Sequence, residues 1–137
     1  MLMIKKHTIL GITLIELLVV VAIVTILASV GYPSYIDHVT RTNRTEANRE
    51  LVRIASLMEQ YFIDHRRYTD NMKKLGLSAD PFISQSGDYS IDATVVNSTF
   101  VLTAKALGTQ AIQDKSCLSL YITETLRKTA SSASCWG

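Results

Sequence analysis

The chain has 137 residues, 47% of them hydrophobic and 19% charged, with a formal net charge of +2 at neutral pH. That length holds one modest domain and no second independent core. Cys117 and Cys135 have neither a CxxC spacing nor a neighbouring histidine, His38 and His65 stand alone, and no Ser/His/Asp or paired-carboxylate arrangement is evident, so neither a metal, a cofactor nor catalysis is expected.

The first stretch, MLMIKKHTILG, is short and basic through Lys5 and Lys6. Residues 11 to 36 then read GITLIELLVVVAIVTILASVGYPSYI, with Glu16 the single charged side chain. From Ile12 to Ile36 a helix would extend roughly 37 Å, more than the roughly 30 Å hydrocarbon core of a bilayer, so this segment can span a membrane. Lys5 and Lys6 place the leader on the cytoplasmic side and the C-terminal region outside. Without residues 1–11 the chain carries 12 basic and 12 acidic side chains, so its slight basicity belongs to the leader and is no argument for a nucleic-acid partner. A carboxylate inside hydrocarbon costs roughly 2.5 to 3.5 kcal/mol on insertion scales, so Glu16 either sits shallow enough to reach the headgroups or needs a cationic partner. Gly31 and Pro33 interrupt the run and predict a helix kink or, equally, the point of membrane exit.

From Asp37 the composition turns polar while a helical period continues through Ala47, Leu51, Ile54, Ala55, Met58, Tyr61 and Phe62, which form one apolar stripe. The other faces carry Arg41, Arg44, Glu46, Arg49, Glu50, Arg53 and Glu59 as a solvated surface, with Glu46 and Arg49 or Glu50 and Arg53 spaced for pairing. Residues 65–82 read as a loop with one short helix around Asp70 to Leu75 and with Tyr68 packed beneath it. Alternation then predicts strands through Tyr89, Ile91, Ala93 and Val95, and through Phe100, Leu102, Ala104 and Ala106, joined at Asn97 and Ser98. A third strand is expected over 117–123, with Leu118, Leu120 and Ile122 inward. Antiparallel pairing over the helix stripe gives an α+β domain. An exported C-terminal region puts Cys117 and Cys135 in an oxidising compartment, where they are expected to pair, contributing roughly 3 kcal/mol and holding the tail TASSASCWG.

The N-terminal motif GITLIELLVVVAI resembles the class III signal of type IV pilins and type II secretion pseudopilins: a short basic leader, Gly, a hydrophobic residue, Thr-Leu-Ile-Glu, then an apolar helix. The resemblance continues through SYIDHVTRTNRTEANRELVRIASLMEQYF, YTDNMKKLGLS, DKSCLSLYIT and the terminal CW, and is strongest to PilE-type minor pilins. It implies a type IV pilin fold, a long N-terminal helix on an antiparallel sheet of about three or four strands. It divides the chain into a leader removed by prepilin peptidase (1–11), a transmembrane and assembly helix (12–36) and a globular domain (37–137). Cleavage would fall after Gly11, with Ile12 as the new, N-methylated terminus. The family usually has Phe at the position of Ile12 and a glycine in a turn where this chain has Thr125, Leu126 and Arg127. In the family the glutamate matching Glu16 meets the N-terminal amine of a neighbouring subunit, and the helix is often unwound around the proline matching Pro33.

Three functions follow from these readings. The favoured one is a structural subunit, a minor pilin, that helps begin assembly of a type IV pilus. Its partners would be other pilin subunits, prepilin peptidase and the inner-membrane assembly machinery; it would reside in the membrane before assembly and on the cell surface after. A type II secretion pseudopilin shares the signal, but residues 108–137 lack a clustered Asp/Glu calcium site. A DNA receptor of competence rests only on Arg66, Arg67, Lys73 and Lys74.

Overall fold

The computed structural model describes residues 11–136; the leader positions before Gly11, Lys5 and Lys6 among them, lie outside the described residues. Contacts divide the chain into two units, one ending at Tyr35 and the other beginning at Ile36. Helix α1 runs Leu14–His65 with Gly31 and Pro33 inside it, both in helical conformation. In the apolar unit two hydroxyl side chains bond back to the helix itself. Thr25 Oγ1 donates to the Val21 carbonyl and Ser29 Oγ to that of Ile26, both at 2.7 Å, which leaves neither hydroxyl unsatisfied in an apolar setting.

In the second unit Ala47, Leu51, Ile54, Ala55 and Met58 of α1 are buried, as their helical spacing predicts. Tyr61 and Phe62, from the same stripe, are half-buried: Tyr61 stacks on His65 at 4.0 Å and Phe62 on Tyr68 at 4.7 Å, and Tyr68 meets Phe100 edge-on at 4.8 Å. The helix stops at His65, where Arg66 turns left-handed (φ 56°) with its N–H on the Phe62 carbonyl at 2.8 Å. A 3-10 helix follows at Met72–Leu75, started by Asn71, whose side chain accepts from the Lys73 N–H at 3.0 Å, and closed by Gly76 at φ 83°. It drives Met72 into the core.

Five antiparallel strands lie side by side in chain order: β1 (Phe82–Ile83), β2 (Tyr89–Val96), β3 (Thr99–Ala106), β4 (Ser119–Thr123) and β5 (Lys128–Ala130). The β2–β3 register runs from Tyr89 opposite Ala106 to Val96 opposite Thr99 and leaves Asn97 and Ser98 as the turn. Asn97 takes the positive φ (54°) that such a turn needs and that Asn tolerates. The inward row is Tyr89, Ile91 and Ala93 on β2, Phe100, Leu102, Ala104 and Ala106 on β3, and Leu120 and Ile122 on β4. The fold is the expected α+β pilin fold, with strands beyond the three or four foreseen because β1 and β5 are only two and three residues long. Such short strands show no measurable alternation.

Two details depart from expectation. The third expected strand starts at Ser119, because Lys115–Cys117 form a 3-10 turn after a short helix α2 (Gly108–Gln113), and Leu118 is therefore exposed (41%) instead of facing the core. Glu46 and Arg49 form no ion pair; the Glu46 carboxylate accepts from the Ser86 N–H at 3.1 Å, whereas Glu50 and Arg53 do pair, at 2.6 Å.

Cys117 and Cys135 are bonded (S–S 2.04 Å), joining the 3-10 turn Lys115–Cys117 to the C-terminal 3-10 turn Ala133–Trp136. Between β4 and β5, Leu126 is 59% exposed and sits at φ 60°, the conformation for which a glycine is suited. A non-glycine residue there costs about 1–2 kcal/mol, and an exposed Leu recovers little of it by packing. Leu126→Gly should therefore raise the thermal midpoint of the detergent-solubilised chain by a few degrees, on the order of 1 kcal/mol. A lowered midpoint would mean that Leu126 is stabilised by contacts its exposure does not reveal.

Candidate assembly site

Thr13 starts α1: its Oγ1 accepts the Glu16 N–H at 3.2 Å and its carbonyl accepts the Leu17 N–H at 3.1 Å. Thr13 and Glu16 thus stand as the first and last residues of the T-x-x-E capping pattern, with the acid in the first helical turn, where the helix dipole favours a negative charge. The capping signal is legible in the residues TLIE, Thr13 to Glu16. Gly11, Ile12 and Thr13 lie outside the helix, exposed, and a side chain added at Gly11 would meet nothing within 4 Å. The bond between Gly11 and Ile12 is therefore held in no secondary structure.

Beyond Glu16 the helix surface is apolar and uncovered: Leu17 is 56% exposed, Val19 50%, Leu27 67% and Val30 73%. This helix is long and apolar enough to cross a membrane. An uncovered surface of this kind marks a lipid or protein contact. At Gly31 an added side chain would also meet open space, so nothing in the subunit explains a glycine there. Pro33 lacks the N–H that the Ser29 carbonyl would accept, so the helix is weakest where these two residues sit.

In the domain, Arg44 is not part of the solvated face. Its Nε and Nη2 donate to the two carboxylate oxygens of Asp114 at 2.9 and 2.8 Å, and the side chains are 17% and 5% exposed. Gln110 lies beside the pair, its buried amide nitrogen, with two hydrogens to donate, within reach of the Thr40 carbonyl (3.1 Å), the Tyr89 hydroxyl oxygen (3.1 Å) and Asp114 (3.2 Å), and its carbonyl accepting from Asn43 (3.2 Å). Burial raises the pKa of the Tyr89 hydroxyl above its ordinary 10.0, against the opposing pull of the Gln110 hydrogen bond. These contacts fasten α1 to the segment that leads into Cys117, and partners 70 residues apart could not be paired from the sequence. Arg66, Arg67, Lys73 and Lys74 are exposed around the end of α1 and the 3-10 helix after it.

A helix with a naked apolar face and an acid in its first turn, continuing into a domain where the helix supplies one wall of the core, defines a subunit made to be assembled through its helix. Comparison agrees. Residues 33–121 match the family described as "Type IV minor pilin ComP, DNA uptake sequence receptor". The chain is 34% identical over 112 residues to the type IV major pilin protein PilE1 of Neisseria gonorrhoeae, covering 81% of this chain and 61% of that one. It is also 34% identical over 131 residues to the type IV wide pilus major component PilA4 of Thermus thermophilus, covering 91% of this chain and 95% of the other. Against a fimbrial protein of Pseudomonas aeruginosa the identity is 31% over 90 residues, 61% of this chain and 58% of that one. The chain belongs to the type IV pilin family. It spans about three fifths of the gonococcal relative and nearly all of the Thermus one.

Removing one partner of a buried ion pair strands the other, at a cost of about 3–5 kcal/mol. Arg44→Leu should lower stability by about 3 kcal/mol in urea titrations of the domain signal, and adding Asp114→Leu should recover a sizeable part of the loss. Strictly additive losses would mean that the pair is not coupled.

Proposed function

We propose that this chain is a structural subunit of a type IV pilus, a minor pilin acting in the initiation and assembly of the fibre, and that it catalyses no reaction. The observation that carries this reading is the uncovered apolar surface of α1 with Glu16 in its first turn. Membership of the pilin family supports it. Prepilin peptidase cuts after Gly11, where the chain is exposed and non-helical, and methylates Ile12. The subunit then waits in the inner membrane, its domain in the periplasm, and passes into the surface fibre through the assembly machinery. There the Glu16 carboxylate meets the Ile12 amine of a neighbouring subunit, and the weak point at Gly31 and Pro33 lets the helix unwind.

Glu16→Gln tests the charge alone, because Gln also fits the fourth position of the capping pattern and leaves the helix start intact. The variant should insert and be cut after Gly11 as the wild type is, while its recovery in sheared fibres falls several-fold. Wild-type recovery would remove the assembly role and leave Glu16 as a dipole-stabilising acid. Mass spectrometry of the same fibres reads the processing: the chain should begin at Ile12, and retention of Met1 would refute cleavage.

A second reading is favoured by the description of the matching family, a DNA uptake sequence receptor. Arg66, Arg67, Lys73 and Lys74 are the cations available for it. Neutralising Arg66 and Arg67 together should weaken binding of duplex DNA across sequences and lower the salt slope by about one for each phosphate that is no longer neutralised. An unchanged slope would take these residues out of any DNA contact.

A further inference from the structure

The hydroxyl side chains of the apolar unit change character along α1. Thr25 and Ser29 return theirs to the Val21 and Ile26 carbonyls. Further along, Tyr32 (68% exposed), Ser34 and Tyr35 (63% exposed) make no side-chain hydrogen bond among the described residues. A phenol hydroxyl stands at the far end of its ring, beyond reach of the carbonyls of its own turn, so water or a lipid headgroup has to satisfy it. The backbone changes at the same place. Pro33 brings no N–H, so the Ser29 carbonyl has no helical partner. Backbone groups in hydrocarbon have to be satisfied within the protein.

Charge alone sets only an outer limit to the membrane. Residues 17–36 contain no charged side chain, and these 20 residues, about 30 Å as a helix, would let hydrocarbon reach as far as Asp37. A boundary at Asp37 would put Ser29 about 12 Å inside hydrocarbon, with its carbonyl unpaired, and the Tyr32 hydroxyl inside as well.

We propose that the headgroup layer on the domain side of the membrane grips α1 at Tyr32 and Tyr35, short of the charge at Asp37. Tyrosine suits that level because its ring packs among acyl chains while its hydroxyl bonds to headgroups and water. Three residues apart, the two rings share one side of the helix and hold that side in the layer. The Ser29 carbonyl then opens toward water, and the helix can unwind around Gly31 and Pro33 without exposing backbone to hydrocarbon. At the other end, Glu16 stands 16 positions before Tyr32, about 24 Å along the helix, which leaves it about one turn short of the opposite boundary of a core about 30 Å thick. Helical side chains lean toward the N-terminus, here toward that boundary. The depth fixed by the tyrosines thus keeps the Glu16 carboxylate within reach of headgroups in the unassembled subunit.

This proposal rests on the membrane-spanning reading, and the test separates the two. The full chain is reconstituted in phospholipid vesicles whose acyl chains carry bromine, a quencher of tryptophan fluorescence, either near the headgroup or near the chain end. The signal of the one native tryptophan, Trp136, is subtracted with the wild-type protein. Val24→Trp, midway between Glu16 and Tyr32, should be quenched most by the deep bromine, Tyr32→Trp and Tyr35→Trp most by the shallow one. Tyr32→Trp quenched by deep bromine as strongly as Val24→Trp, or by neither lipid, would overturn the proposal alone; an unquenched Val24→Trp would overturn the spanning reading with it. Anchoring is read on Ser34→Cys, which should react with a membrane-impermeant maleimide on the domain side, where Cys117 and Cys135 are bonded to each other and silent. Adding Tyr32→Leu and Tyr35→Leu should slow that reaction several-fold as the helix sinks. An unchanged rate would mean that the tyrosines hold nothing and would overturn the proposal.

Discussion

The bidentate contact of Arg44 with Asp114 fixes how far along α1 the rest of the domain sits. Burial of Ala47, Leu51, Ile54, Ala55 and Met58 supplies most of the driving force, but apolar contact is non-directional, and similar residues recur every turn. A helix could slide by one turn and still bury an apolar stripe. A slide by one turn would break both bonds of Arg44 to Asp114, and Gln110 repeats the constraint by donating to the Thr40 carbonyl one turn earlier. Whether a buried ion pair adds net stability is a separate question; the fastening of α1 to the segment before Cys117 is what the geometry displays.

The apolar half of α1 poses the same difficulty between subunits. Its surface is mostly Leu, Val and Ile, and Glu16 is the one charged side chain in it. Its place in the first turn, beside the Thr13 cap, gives the carboxylate a favourable local field even in an isolated subunit. Glu16 is therefore stabilised in part by its own helix, while its carboxylate makes no ion pair among the described residues.

Much of this was legible in the sequence because it depends on local periodicity. The helical stripe, the alternation of β2 and β3 and the turn at Asn97 and Ser98 follow from side chains a few residues apart. The hidden parts depend on distance or brevity. Arg44 looks like one more cation on a charged face until Asp114, 70 positions later, folds against it. Strands β1 and β5 are too short to alternate, and Leu118 yields its strand position to a 3-10 turn that its composition does not announce. Trp136 and Asn48 lie far apart in the chain and share a cleft only because the disulfide brings the tail back beside α1. The Thr13 cap is written in the sequence, yet the same four residues also carry the family signal, which masks it.

The brevity of the edge strands bears on assembly too. A sheet whose outer strands present long rows of free backbone groups would pair with neighbours edge to edge once subunits crowd together. Here β1 has two residues and follows Pro81, which has no N–H to offer, and β5 has three, beginning with the exposed Lys128. Edges this short hold the tail poorly by themselves, and β5 is followed by a 3-10 turn with no further strand among the described residues. The Cys117–Cys135 bond supplies what the edge strand cannot: it ties that tail to the turn before β4 without lengthening the edge. Edges this short give a neighbouring strand little to pair with, and the long run of exposed apolar side chains among the described residues lies on α1 instead.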